Sequence, residues 1–152
     1  MYHRSLREIT RDATILPCGR PSSNELRRER LRQLATILDK HSGPIRLLSR
    51  IEFLPRPDFS AARCDGSPLT IAFENSELRR QGLASDRLGD AMTFFGLTRD
   101  KAHHLFCDCH YAGSPDGRSV ARRVRGLAER RSILEVAKAI WFRLFAPTLK
   151  TH

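Results

Sequence analysis

The sequence predicts an α+β fold in which helices dominate. Two periodicities carry that prediction. Apolar residues recur every three or four positions from residue 22 to 42 and again beyond residue 76, as on a helix with one buried face. Between these stretches, at 45–53 and 69–73, apolar residues fall at alternate positions, as on a half-buried strand. The expected architecture is one N-terminal helix, a small two-stranded β-ribbon and then about four helices. These make one compact domain over residues 22–147, with an irregular arm at 1–21 and a tail at 148–152.

Each element has its own signal. The arm has little periodicity and ends in Pro-Cys-Gly-Arg-Pro. Ser22 and Glu25 have capping-box spacing. Behind them Leu26, Leu31, Leu34, Ile37 and Leu38 share a broad face, ended by Gly43-Pro44. Arg27, Arg28, Arg30 and Arg32 crowd the first turns, against the helix dipole. Ile45, Leu47, Ile51 and Phe53 alternate with polar residues between Pro44 and Pro55, although Leu48 and Leu54 break the pattern and leave a short helix as the alternative. Leu69, Ile71 and Phe73 form the second expected strand, and such a ribbon needs helices packed on it to be stable.

Ser85 is the expected cap of a helix carrying Leu88, Ala91, Met92 and Phe95, closed by Gly96. Thr98 caps the next, carrying Ala102, Leu105, Phe106 and Cys109. After the turn at 113–117, Val120, Ala121, Val124, Leu127 and Ala128 line one face, opposite Arg122, Arg123, Arg125 and Arg130. A capping box at Ser132 and Glu135 restarts the stripe out of phase, at Ile133, Ala137, Ile140, Trp141 and Leu144, and Pro147 ends it.

Charge bears on partners more than on fold. The chain of 152 residues carries a net +10, from 27 Lys and Arg against 17 Asp and Glu. The excess lies at the ends: residues 1–50 hold eleven basic and five acidic side chains, 51–100 six and eight, and 101–152 ten and four. That distribution suits a polyanion, nucleic acid first, with phosphate contacts from Arg118, Arg122, Arg123, Arg125 and Arg130. The first functional expectation is therefore a nucleic-acid-associated or regulatory binding protein. The alternative is a protein-interaction or adaptor domain for an acidic partner, with the aromatic C-terminal helix as a homodimer surface. With neither a secretory signal nor a membrane-spanning run, the expected location is cytoplasmic, with Cys18, Cys64, Cys107 and Cys109 as reduced thiols.

Two constellations could carry specific chemistry. Leu88 to Phe106 resembles the helix-turn-helix of bacterial DNA-binding regulators. Ala91, Phe95, Leu97, Ala102 and Leu105 stand at its apolar positions, and Gly96 at its turn. That resemblance implies that Arg99, Lys101, His103 and His104 face the major groove. Met92 stands where the motif favours alanine, and residues 85–110 hold three basic and four acidic side chains. The second constellation is His103-His104-Leu105-Phe106-Cys107-Asp108-Cys109-His110. On a continuous helix His103, Cys107 and His110 share a face, and zinc is the ion such nitrogen and sulfur ligands take, with Cys18 or Cys64 as a fourth. Cys109 falls on the apolar stripe, as a small buried hydrophobe. A metal- or thiol-dependent enzyme is the third functional expectation; no other cofactor is implied.

Overall fold

The computed structural model describes residues 23–130, and helices are the regular elements among them. Helix α1 spans Ser23–Lys40, α2 Pro68–Glu74, α3 Ser76–Arg80, α4 Leu88–Phe95, α5 Arg99–Phe106 and α6 Gly117–Glu129. Three 3-10 turns, at Arg50–Phe53, Phe59–Ala61 and Asp108–His110, shape the connections. The arm at 1–21, the capping serine at 22, the second capping box and the aromatic C-terminal helix lie outside the described residues. No helix among the described residues is long and apolar enough to cross a membrane.

The expected β-ribbon is not formed. Residues 68–74 are a helix because Ser67 and Pro68 start one: the buried Ser67 hydroxyl accepts the Thr70 amide at 3.2 Å, and proline takes the first helical position. Leu69 and Ala72, and Pro68 and Ile71, are three apart and all buried, so two helical faces are apolar. In so short a helix, burial on two sides looks like alternation. Residues 45–48 contribute one isolated parallel bridge, Leu48 to Cys107, in place of a strand. The chain then turns through Arg50–Phe53, which leaves Ile51 63% and Leu54 52% exposed, while Phe53 is buried.

The core forms where α1 packs on α6, joined by the inner faces of α2, α4 and α5. Leu31, Leu34 and Leu38 of α1 meet Val120 and Val124 of α6 in one buried cluster with Leu69, Leu88, Phe95, Leu105 and Phe106. Leu26 stays exposed at the edge of the predicted stripe. Burying these side chains is the main stabilising term, at about 1.5–3 kcal/mol each. Arg30 ties α1 to the end of α4: its guanidinium donates to the carbonyls of Phe94 at 2.8 Å and Gln81 at 3.1 Å and lies 4.0 Å over the Phe94 ring. One of the arginines that oppose the dipole of α1 is therefore held by tertiary contacts.

The corner between α4 and α5 follows expectation at its turn. Gly96 adopts the left-handed conformation, φ 60°, which glycine takes without steric cost. Thr98 caps α5 by accepting from the Lys101 amide. Ser85, by contrast, does not cap α4. Its hydroxyl accepts the Arg87 amide at 3.1 Å, and the helix begins at Leu88, after an Arg87 with no side-chain capping bond.

Candidate metal centre

Helix α5 carries His103 and His104 on its last turn and then stops at Phe106. The stop is imposed from a distance. The carbonyl of Phe106 accepts the Leu48 amide at 3.0 Å, and the Asp108 amide donates to the Leu48 carbonyl at 3.0 Å. Leu48 thus takes over backbone groups that a longer helix would have paired internally. Cys107 becomes extended, with φ −86° and ψ 134°, and its side chain is fully buried. The 3-10 turn Asp108–His110 then swings the next residues back towards α5.

That turn reverses the expected roles of the two cysteines. Cys109, predicted to be buried, is exposed, and it brings its sulfur 3.6 Å from Nε2 of His103. Nε2 of His110 stands 3.0 Å from Nδ1 of His103. Donor atoms of His103, Cys109 and His110 all lie within 4.8 Å of one another. Cys107, expected beside His103 and His110 on one helix face, instead meets the group through its neighbour, with its sulfur 3.0 Å from that of Cys109. Cys64, one of the two suggested fourth ligands, is in none of the candidate clusters among the described residues, and Cys18 lies outside them.

Surrounding elements hold the site in place. The His103 ring stands edge-on to Phe53, with centroids 4.9 Å apart, and so uses the residue that the 3-10 turn at 50–53 buries. From α6, Arg123 donates to the His110 carbonyl and lies 4.3 Å over the ring of Tyr111. The Tyr111 hydroxyl donates to the Leu105 carbonyl at 2.7 Å, which closes the turn onto α5. Burial pushes the Tyr111 hydroxyl up to about 12, against the pull of Arg123, and so keeps this donor protonated. His110 is held below the ordinary histidine value by partial burial first, and then by His103, His104 and Arg123. Neutral imidazole is the form that ligates metals. The Cys107 thiol is pushed up to about 12, first by burial and then by its hydrogen bond to Cys109.

Two of the four residues expected to read DNA are engaged within the protein. Arg99 donates to the Phe53 carbonyl and lies 4.9 Å over the Phe59 ring. His103 belongs to the cluster just described, Lys101 is half-buried, and His104 is exposed with its ring 5.1 Å from that of His110. On α6, Arg123 is held by His110 and Tyr111, and Arg125 pairs with Asp39 of α1. Arg118, Arg122 and Arg130 are exposed. Helices α4 and α5 thus join at the Gly96 turn, and two of the four residues expected to face a major groove, Arg99 and His103, are engaged by other residues of the protein. No known family model matches the chain, and no curated protein or solved structure matches it either.

Proposed function

We propose that this is a metal-binding protein in which His103, Cys109 and His110 hold one zinc-class divalent ion. The observation that carries the reading is the convergence of one thiol and two imidazoles within 4.8 Å, produced by a turn that breaks the helix. The spacing can be compared with the ion's own geometry. Zinc bonds of about 2.0–2.1 Å to nitrogen and 2.3 Å to sulfur, set at tetrahedral angles, place a nitrogen and a sulfur about 3.6 Å apart and two nitrogens about 3.3 Å apart. The Cys109 sulfur stands 3.6 Å from Nε2 of His103, which matches, but the 3.0 Å contact of His110 is to the other ring nitrogen, Nδ1. One ion takes only one of these nitrogens, so the nitrogen–sulfur edge is the one that fits, and the three donors together are brought within 4.8 Å. Two thiolates on one zinc ion would stand about 3.8 Å apart. The 3.0 Å between Cys107 and Cys109 is too short for both to bind as they stand.

Three protein ligands with Cys109 exposed leave the fourth position to an external donor, the arrangement of open zinc sites. Soft sulfur beside imidazole favours zinc over magnesium or calcium, which prefer oxygen. Nucleic-acid readout by α5 receives less support, because Arg99 and His103 are already engaged. The test is a zinc titration against a chromophoric chelator. One equivalent is expected to bind. Cys109→Ser should weaken binding by more than the ~10–100-fold that loss of an outer-sphere partner costs. Absence of a stoichiometric site, or a Cys109→Ser variant with unchanged affinity, would overturn the reading.

A further inference from the structure

We propose that Cys107 and Cys109 form a redox modification site in which a peroxide joins the two sulfurs and thereby releases the ion. The inference rests on the metal reading for the release and on the thiol geometry alone for the oxidation. The two sulfurs are 3.0 Å apart, and a disulfide needs about 2.05 Å, so a shift of roughly 1 Å closes the bond. Their exposures set which sulfur meets the oxidant first. Cys109 is exposed on the 3-10 turn, where a small oxidant reaches it, whereas Cys107 is fully buried beneath it. Only one residue, Asp108, separates them, and both lie where the chain has left its helix.

The chemistry balances with a hydroperoxide as the oxidant. The Cys109 thiolate attacks the terminal peroxide oxygen, the O–O bond breaks, and the alcohol (water, for hydrogen peroxide) departs, leaving a sulfenic acid. The Cys107 sulfur then attacks the Cys109 sulfur. The new S–S bond forms as the S–O bond breaks, and the hydroxide leaves as water with the proton of the Cys107 thiol. Two thiols are oxidised by two electrons, and one peroxide is reduced. A metal-ligating cysteine must be a thiolate, and a sulfur in a disulfide no longer is one. Oxidation therefore removes the sulfur ligand and leaves His103 and His110 alone on the ion.

The experiment treats zinc-loaded and zinc-free protein with hydrogen peroxide. It follows free thiols, the mass of the peptide spanning residues 107 and 109, and zinc captured by a chromophoric chelator. Loss of two thiols per chain, a mass lower by two hydrogens in that peptide, and zinc release in step with both are expected. Cys107→Ser should give no such disulfide and leave a sulfenic acid on Cys109 that a dimedone probe captures. Oxidation of Cys109 directly to sulfinic acid in the wild type, or a disulfide confined to chains joined to one another, would overturn the dithiol. A disulfide formed with zinc retained would overturn the release. A disulfide formed in protein that binds no zinc at all would uphold the dithiol and overturn the metal reading, so the two failures are distinguishable.

Discussion

Gly117→Ala is expected to destabilise the protein by about 3 kcal/mol, the upper end of what an added core methylene costs. Gly117 begins α6 and is buried against the end of α1. A Cβ built there would press into the Leu38 carbonyl oxygen and lie 3.0 Å from that of His41. Both are backbone atoms, so no side chain can rotate away, and α6 would have to lift off α1. The core meets at this point, with Leu38 on one side and Val120 and Ala121 on the other. Gly126→Ala supplies a contrast on the same helix. Nothing lies within 4 Å of its added Cβ, and alanine is the better helix former by about 0.5–1 kcal/mol. Urea unfolding should therefore move the midpoint down for Gly117→Ala and up for Gly126→Ala. A neutral Gly117→Ala would mean that α6 does not rest on α1 as described, and Arg123 would then lose its position behind His110.

The second large effect is thermal. Ligand bound only by the folded state stabilises it by mass action, about 2.7 kcal/mol when free ion stands at one hundred times the dissociation constant. For a chain of this size, 1 kcal/mol shifts Tm by roughly 2–4 °C, so zinc should raise Tm by about 5–11 °C. Excess chelator should return the protein to its zinc-free midpoint. Two controls tie the shift to the site. His110→Ala should abolish it, and acidification should reduce it. The pH direction follows from His110, whose folded-state value lies below the ordinary histidine value of 6.5. The unfolded chain takes up the proton first as pH falls, so even without metal this group's contribution to stability is lost from about pH 6.5 downwards. Protonation at the same residue then competes with the ion. An unchanged Tm at saturating zinc would count against the site.

Much of the fold was legible in the residues because local and tertiary preferences agree there. The stripe of Leu31, Leu34 and Leu38, the Gly96 turn, the Thr98 cap and the amphipathic run Val120–Ala128 all specify helix at the level of a few residues. The misread segments are those where short apolar stretches are buried on two sides. Leu69, Ile71 and Phe73 alternate by coincidence, and the informative signal was the Ser67-Pro68 pair in front of them. Ile51 and Leu54 are apolar yet exposed, and no periodicity argument reveals that.

The candidate site was legible in composition and not in geometry. Two histidines, two cysteines and a further histidine within eight residues mark it, but the reading depended on helix α5 continuing. It ends at Phe106 because Leu48, nearly sixty residues earlier, bonds to both Phe106 and Asp108. A pairing at that separation leaves no mark on the sequence around Cys107. Its consequence is that Cys109, and not Cys107, presents the accessible sulfur beside His103. The arginines show the same dependence on distant partners: Arg99, Arg123 and Arg125 look like a solvated basic face until Phe53, His110 and Asp39 are brought beside them, whereas Arg118, Arg122 and Arg130 are exposed.

The central claim is that one sulfur and two imidazoles from this turn share an ion, and X-ray absorption at the zinc edge of the loaded protein tests it most directly. The predicted first shell is one sulfur at about 2.3 Å and two imidazole nitrogens at about 2.0–2.1 Å, completed by a light external atom. A shell of oxygen and nitrogen without sulfur, or one that keeps its sulfur in the Cys109→Ser variant, would contradict it.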